Sequence, residues 1–169
     1  MLFLLTAMAF VACSTAMYNA DGTKMTKEQI RAAKAQHVRE GIENRDFKII
    51  VDRMYPMRMP ARHLSTLYSL EVKGDTIVSY LPYFGRAYSV PYGGGKSLNF
   101  TGIMSYYDFR QGRKDQTLIE IGVENDEDTY VYSLSIFDNG NTSIDVRSRN
   151  REQIAFSGEM ERSMLNVEC

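Results

Sequence analysis

The residues with the clearest chemical potential lie in one stretch, LPYFGRAYSVPYGGGKS at residues 81–97. Its ending, Gly95-Lys96-Ser97, matches the end of a phosphate-binding loop, in which backbone amides and a lysine hold phosphate. That motif also requires a glycine at position 90, where this chain has Val90. The residues after the serine have the pattern of a strand, so no helix N-terminus would face a phosphate. The sequence therefore argues against a phosphate-binding loop here.

The same stretch places flat aromatic rings beside a guanidinium group, a combination that can stack on a ligand and hydrogen-bond to it. Pro82 and Pro91 would stiffen such a platform. A purely structural role is also open, in which the rings pack over the open end of a barrel while the glycines form a turn. The candidate ligand-binding residues are Tyr80, Tyr83, Phe84, Arg86, Tyr88 and Tyr92.

Two charged clusters outside this stretch are weaker candidates for a binding site. The acidic run ENDEDTY, residues 124–130, lacks the ordered oxygen spacing and the glycine of a calcium loop, so we expect a solvated hairpin tip. Arg147, Arg149 and Arg151 alternate along the chain and would share one face of a strand. They could clamp a phosphate or a carboxylate, but a charged outer face of the sheet is the preferred interpretation.

Catalytic and metal-binding patterns are not apparent in the sequence. The two histidines, His37 and His63, belong to different predicted elements, and no GxSxG nucleophile motif occurs. Carboxylates are plentiful, but which of them pair depends on the tertiary structure. The sequence therefore favours a protein without catalytic activity, metal or cofactor. An enzyme that uses two of the scattered carboxylates is the third hypothesis, and it requires a cleft that holds two acids with opposed pKa shifts.

The elements that would position these residues begin with one amphipathic helix over residues 26–44. Thr26 is the expected N-cap, and Gln29, three residues later, completes a capping box. The apolar stripe behind it is narrow, so we expect the helix to pack on a sheet edge or to close the mouth of a barrel. The residues at helical spacing are Ile30, Ala33, His37, Val38 and Ile42.

After residue 46 the period of the apolar residues changes from helical to alternating, which predicts strands. The clearest alternation is in residues 129–138, with Tyr130, Tyr132, Leu134 and Ile136 on one face. Another strand is predicted from Leu67, Leu70 and Val72, which lie among polar residues. The predicted strands are 47–55, 65–74, 75–81, one or two within 97–111, 116–125, 129–138, 142–148 and 152–160.

About eight or nine short strands at regular spacing after one helix are typical of a mainly β antiparallel barrel or sandwich. The turns between neighbouring strands are short, with Gly74-Asp75 and Asn139-Gly140 as the strongest signals. This order favours a meander that forms a lipocalin-like barrel or a curled sheet, with the amphipathic helix at its N-terminus.

The N-terminal residues predict export to the cell envelope. Residues 1–12 are uncharged and almost wholly apolar, and they are shorter than the roughly 20 residues of a membrane-spanning helix, so they are typical of a signal peptide. They lead into FVAC, which is similar to a lipobox, and we expect cleavage before Cys13 and a lipid on it. A simple cleaved signal with an incidental cysteine is the alternative. Residues 13–24 would form a lipid-anchored tether and residues 25–169 a single domain.

The composition limits the partners. The 169 residues carry a formal net charge of -1, with 44% apolar and 24% charged residues, as in an ordinary folded domain. Such a charge offers no overall field to hold nucleic acid. The predicted partners are the membrane, through the lipid on Cys13, and a small ligand or an envelope protein.

The segment VKGDTIVSYLPYFGRAYSVPYGGGKSLNFTG, residues 72–102, resembles the signature of domain of unknown function family 4251. The resemblance extends over about residues 44–160 and is carried by SYLPYFGRAY, PYGGG and the closing NR…I…SG pattern. Phe156 stands where the family often has tyrosine. The resemblance implies a small secreted or lipid-anchored protein of Gram-negative gut anaerobes, with a compact β-rich domain and an N-terminal helix. It implies no activity and no site residues.

Taken together, these features predict a periplasmic or outer-membrane lipoprotein that acts as a non-catalytic binding module for a small apolar ligand or an envelope component. The alternative is a structural or accessory protein that acts through protein–protein contacts. The alternative predicts a filled barrel and an exposed apolar patch in place of a pocket.

Overall fold

The computed structural model describes residues 23–88 and 98–161. These residues form one helix followed by eight β-strands. The elements are α1 (Lys27–Asn44), β1 (Asp46–Pro56), β2 (Arg62–Lys73), β3 (Thr76–Tyr80), β4 (Asn99–Gln111), β5 (Gln116–Glu124), β6 (Thr129–Phe137), β7 (Asn141–Ser148) and β8 (Ile154–Met160).

Each strand pairs antiparallel with the next along the chain, and β8 pairs with β1, so the sheet is a closed meander barrel. This confirms the predicted mainly β barrel with one N-terminal helix. The segment 97–111 contains one continuous strand, β4, with a register shift between Met104 and Tyr106. We call the barrel end at the β2–β3, β4–β5 and β6–β7 turns the helix end, and the opposite end the loop end.

Helix α1 lies across the helix end. Its start is the predicted capping box, in which Thr26 and Gln29 exchange side-chain-to-backbone hydrogen bonds. Ion pairs join the helix region to three places at this end of the barrel. The pairs are Lys34–Glu159 at 2.6 Å, Arg39–Asp138 at 3.4 Å and Arg45–Asp75 at 2.8 Å. The helix therefore closes one mouth of the barrel, as its narrow apolar stripe predicts.

The helix packs so closely because one of its buried residues is Gly41. A Cβ at this position would meet the Met160 side chain and the Asp46 backbone. Tyr107 from β4 donates a hydrogen bond of 3.0 Å from its hydroxyl to the carbonyl of Ile42 in the last turn of α1, which also accepts from the Arg45 N–H at 3.3 Å. No helix among the described residues is long and apolar enough to cross a lipid bilayer.

The interior of the barrel is filled by side chains. An eight-stranded barrel has an interior just wide enough for this. The predicted face of β6 is confirmed, since all four of its residues are buried. The strand predicted from Leu67, Leu70 and Val72 is present as β2, but Leu67 does not share the buried face. It is 80% exposed, whereas Leu70 and Val72 are buried, because a spacing of three reverses the face on a strand. The largest fully buried side chains of the barrel strands are Tyr130, Tyr132, Phe156, Ile49, Met54, Leu70, Ile77, Ile121 and Leu134.

Candidate loop-end site

The candidate site is built from the four connections at the loop end of the barrel. They join β1 to β2, β3 to β4, β5 to β6, and β7 to β8, and their residues are 57–61, 81–98, 125–128 and 149–153. The described first part of the β3–β4 connection, residues 81–88, is called the strap below. The glycine–lysine–serine ending and Tyr92 lie outside the described residues, as do Cys13 and the predicted signal peptide and most of the tether.

The strap crosses the barrel opening. Ala87 pairs with Arg151 in an isolated antiparallel bridge, and the Tyr88 N–H donates to the Asn150 carbonyl at 2.7 Å. The β3–β4 and β7–β8 connections lie on opposite sides of the eight-stranded ring. A strap that joins them therefore passes over the interior, so the loop end is covered by backbone while the helix covers the other end.

Glu152 is the point where the strap is held. Its carboxylate accepts from the Arg58 Nε at 2.7 Å and from the Arg86 N–H at 3.2 Å, and its own N–H donates to the Arg86 carbonyl at 2.9 Å. The hydrogen bond from the Arg86 N–H, followed by that from Arg58, lowers the pKa of the Glu152 carboxyl below its ordinary value of 4.5. One carboxylate thus joins three of the four connections.

Tyr83 is a structural member of this network. Its hydroxyl lies 2.9 Å from the Arg86 carbonyl oxygen and 3.1 Å from that of Glu152, and it donates its proton to this pair of acceptors. The Arg151 guanidinium lies over its ring, 5.5 Å from the centroid. Burial raises the pKa of the Tyr83 hydroxyl above 10.0, so it remains a donor at neutral pH.

Residues of the β5–β6 turn also belong to this network, although the sequence predicts that they form a solvated hairpin tip. Asp128 is buried, and its carboxylate accepts from the N–H groups of Thr129, Arg149 and Asn150 at 2.8, 3.2 and 3.1 Å. Glu127 lies 3.6 Å from the guanidinium of the buried Arg151. The predicted solvated tip and fully charged outer face are therefore wrong for these residues, because each carboxylate binds groups of the β7–β8 connection instead of water.

Below the strap, the two ends of its connection are held side by side. The Leu81 N–H donates to the Leu98 carbonyl at 3.4 Å, and the buried Ser79 hydroxyl donates to the same oxygen at 2.7 Å. Tyr132 in the barrel interior donates to Ser79 at 3.0 Å. Burial raises the pKa of Tyr132, which keeps this hydroxyl protonated. These hydrogen bonds therefore anchor both ends of the β3–β4 connection to the core of the barrel.

Above this framework, large apolar side chains remain in solvent. Met57 is 69% exposed, Tyr88 70% and Phe84 43%. Arg62, itself exposed, lies over the Phe84 ring, 5.7 Å from the centroid. We call Met57, Met59, Phe84 and Tyr88 the loop-end apolar residues. Exposed aromatic and methionine side chains on a framework that is already held in place are typical of contact surfaces.

The predicted ligand residues do not gather around one pocket. The Tyr83 hydroxyl binds the backbone carbonyl of Arg86, not its side chain. Phe84 and Tyr88 are exposed. Tyr80 packs against Tyr68, with ring centroids 5.3 Å apart. Two cavities formed by described residues lie elsewhere, one on the outer wall of β4–β7 and one along α1. The sequence reasoning missed Arg58 and Glu152, because no local pattern marks residues that meet across 94 positions of chain.

The described residues contain no cluster of three or more histidine, cysteine or acidic side chains with the geometry of a metal site. The carboxylates of Glu152 and Asp128 and the hydroxyl of Tyr83 are used in holding the connections together. Because these hydrogen bonds fix the connections relative to one another, the surface that the connections form is preorganised.

The comparison with family signatures decides the relationship of this chain. Residues 29–160 match the family described as Domain of unknown function (DUF4251). The chain belongs to the DUF4251 family. A crystal structure of a DUF4251 family protein from Bacteroides eggerthii DSM 20697 has a similar fold, with a TM-score of 0.58 and 12% sequence identity. The match covers 77% of this chain and 90% of that one. No curated protein matches the chain.

Proposed function

We propose that this DUF4251 protein is a non-catalytic binding protein of the bacterial cell envelope that engages a protein partner through its loop end. The observation that carries the proposal is the contrast between the two sides of the strap. Below it the barrel interior is filled, and above it the loop-end apolar residues are exposed. A filled barrel favours contact with a macromolecule over the enclosed small apolar ligand that the sequence also suggested.

The charges of the loop end specify the partner further. Arg62 lies over the Phe84 ring, Arg86 is exposed two residues after Phe84, and Arg149 is exposed beside Asn150, whose carbonyl accepts from the Tyr88 N–H. The buried carboxylates of the loop end, Glu152 and Asp128, accept hydrogen bonds from the connections, and no ion pair joins these three arginines to a carboxylate among the described residues. The partner surface that fits is therefore apolar at its centre and rimmed by carboxylates, since arginine and aromatic side chains dominate protein contacts of this kind.

Placement in the envelope is supported by the sequence of the N-terminus. The apolar run 1–12 and the FVAC segment are the features of a lipoprotein signal, and Cys13 would carry the lipid. Cells fed labelled palmitate should label the wild-type protein, and Cys13→Ala should abolish that label. Labelling of the Cys13→Ala protein at the wild-type level would contradict lipidation at this residue.

The partner contact is tested by a photo-crosslinking amino acid placed at Arg149 in cells that produce the full-length protein. We expect a crosslinked protein adduct that the Met57→Ser/Phe84→Ser/Tyr88→Ser variant loses. These side chains are exposed, so the variant should keep its fold and melting temperature.

The matched control is Leu67→Ser/Ile103→Ser, which removes equally exposed apolar side chains from the barrel wall, where Leu67 is 80% and Ile103 68% exposed. This control should retain the adduct. The proposal fails if no adduct forms at Arg149, or if the loop-end and wall variants lose it equally.

A further inference from the structure

The outer wall of the barrel carries a second feature, a trough of about 560 Å³ over strands β4–β7. Its volume lies within the range of roughly 300–1,000 Å³ that is typical of ligand sites. None of the loop-end residues lines it. We call it the outer-wall trough.

The strand register explains why a trough forms there. Glu120 pairs with Ser133, and Ser133 pairs with Asp145, so a short side chain lies between two longer ones. Two residues along each strand, on the same face, Leu118 pairs with Ser135 and Ser135 with Ser143. Ser133 therefore forms a floor between Glu120 and Asp145, and Ser135 continues this floor beside Leu118.

The charges in the trough are arranged in an unusual way. Asp108 and Glu120 are direct cross-strand partners, and like charges in this position destabilise a sheet. Arg110 and Arg147 also line the trough, together with Asp145. Among the described residues, no ion pair joins any two of these five groups.

Part of the hydrogen-bonding capacity is used within the wall. Glu120 accepts from the Tyr106 hydroxyl at 3.0 Å, and Arg147 donates to the Ser133 hydroxyl at 3.3 Å. Gln153 donates to one oxygen of Asp145 at 3.1 Å. These bonds orient the side chains. They leave a second carboxylate oxygen on Glu120 and Asp145, and further guanidinium donors on Arg147, without a hydrogen-bond partner among the described residues.

The lining therefore combines acceptors and donors of opposite charge in nearly equal number, three carboxylates and two guanidinium groups. A ligand with a single charge would be attracted by one of these sets and repelled by the other, so it could not use the whole lining favourably. A hydroxyl group both donates and accepts, so it satisfies a carboxylate and an arginine at once. Leu118 adds a half-buried apolar side chain against which C–H groups can pack.

We propose that the outer-wall trough binds a neutral polyhydroxylated ligand of the carbohydrate class. This inference is independent of the loop-end contact, because the two surfaces share no residues. The ligand would lie on the serine floor, with its hydroxyls between the acidic and the arginine side chains.

The test is a titration of the full-length protein, followed by residue-resolved NMR of the backbone amides. The probes are cellobiose, maltose and N,N′-diacetylchitobiose, with dilysine and diglutamate as charged counterparts. At least one disaccharide should shift the amides of Ser133 and Ser135, and neither charged dipeptide should bind more tightly. Glu120→Gln should weaken the binding by about tenfold, the order expected for a lost hydrogen bond to a charged group.

Ser135→Phe fills the trough and should abolish the shifts. Its control is Thr101→Phe, which adds the same bulk at an exposed position of β4 outside the trough. Tyr88→Ala should leave the titration unchanged, which separates this site from the loop-end contact. The inference is overturned if no disaccharide shifts the trough amides, if Ser135→Phe binds as the wild type does, or if a charged dipeptide binds more tightly.

Discussion

At the scale of single residues, Glu152 has the largest structural role at the loop end. It is buried, and its carboxylate and backbone bond to the strap and to Arg58 at once. Hydrogen bonds to a carboxylate are about twice as strong as neutral ones, so one side chain can make a large contribution to holding several connections together. Tyr83 depends on the same residue, because its hydroxyl reaches the Glu152 carbonyl.

Glu152→Gln keeps the shape of the side chain and removes its charge. We expect a lower melting temperature at neutral pH, because the charge-assisted hydrogen bonds are lost. The folded-state pKa is lowered, so the stabilisation is complete above the ordinary value of 4.5 and disappears as the pH falls through the folded value. Thermal unfolding should therefore be measured at neutral pH and at a pH below the folded-state pKa. The difference in melting temperature between wild type and variant should be smaller at the acidic pH.

The control for this prediction is Glu124→Gln, which changes an exposed carboxylate at the same end of the barrel. It should change the melting temperature far less at neutral pH. An effect of Glu152→Gln that is equally large at acidic and neutral pH would show that packing, not charge, is what the residue contributes.

At the scale of elements, the closure of the barrel depends on a close approach of two strands. Gly158 of β8 lies opposite Val51, where the β1–β8 register shifts. A Cβ on this glycine would collide with the backbone carbonyl of Ile50, which no side-chain rotation can relieve. The glycine thus permits β1 and β8 to pair and close the ring.

Gly158→Ala should therefore destabilise the protein by about 1–3 kcal/mol or more, the cost of forcing backbone apart in a packed structure. Urea unfolding measures this free energy. Ser157→Ala, one residue earlier on the same strand, should cost clearly less, since its hydroxyl makes only long contacts of 3.3 Å. Equal losses in the two variants would exclude the close approach as the cause.

At the scale of the whole molecule, the barrel is a packed core closed at both ends. Helix α1 covers one mouth and the strap crosses the other, and the inward-facing side chains of the strands fill the space between. Contact with other molecules is therefore expected at the outside of this barrel, at the loop-end apolar residues and in the outer-wall trough. The DUF4251 family protein from Bacteroides eggerthii is only 12% identical to this chain, so the similarity between the two structures concerns the fold alone.

A filled interior makes a definite stability prediction. Leu134→Ala, at a position 1% exposed, should cost about 2–5 kcal/mol, because it leaves a cavity in the core. Leu67→Ala makes the same chemical change at a position 80% exposed and should stay within about 0.5 kcal/mol. Chemical denaturation of both variants measures the contrast. A cost near zero for Leu134→Ala would point to a loosely filled barrel with room for a ligand.

Local pattern was enough to determine the elements of this protein. Alternating apolar residues predict the strands, the Thr26 capping box predicts the start of α1, and the short turns predict a meander. These signals lie within a few residues of one another, so they can be recognised without knowledge of the tertiary contacts. The resemblance to the family over SYLPYFGRAY and its companion motifs implies the same β-rich fold. The match over residues 29–160 confirms the family relationship.

Only the tertiary structure decided how the surface is used. Glu152 meets Tyr83 across 69 positions and Arg58 across 94, so nothing near any of the three residues in the chain marks their contact. For the same reason Arg151 was assigned to the outer face, although it is buried against Tyr83. The outer-wall trough depends on a register that brings residues of four strands together. Such contacts depend on how the barrel closes. The alternation of apolar residues predicts that a barrel forms, but it does not predict which residues of different strands lie next to one another.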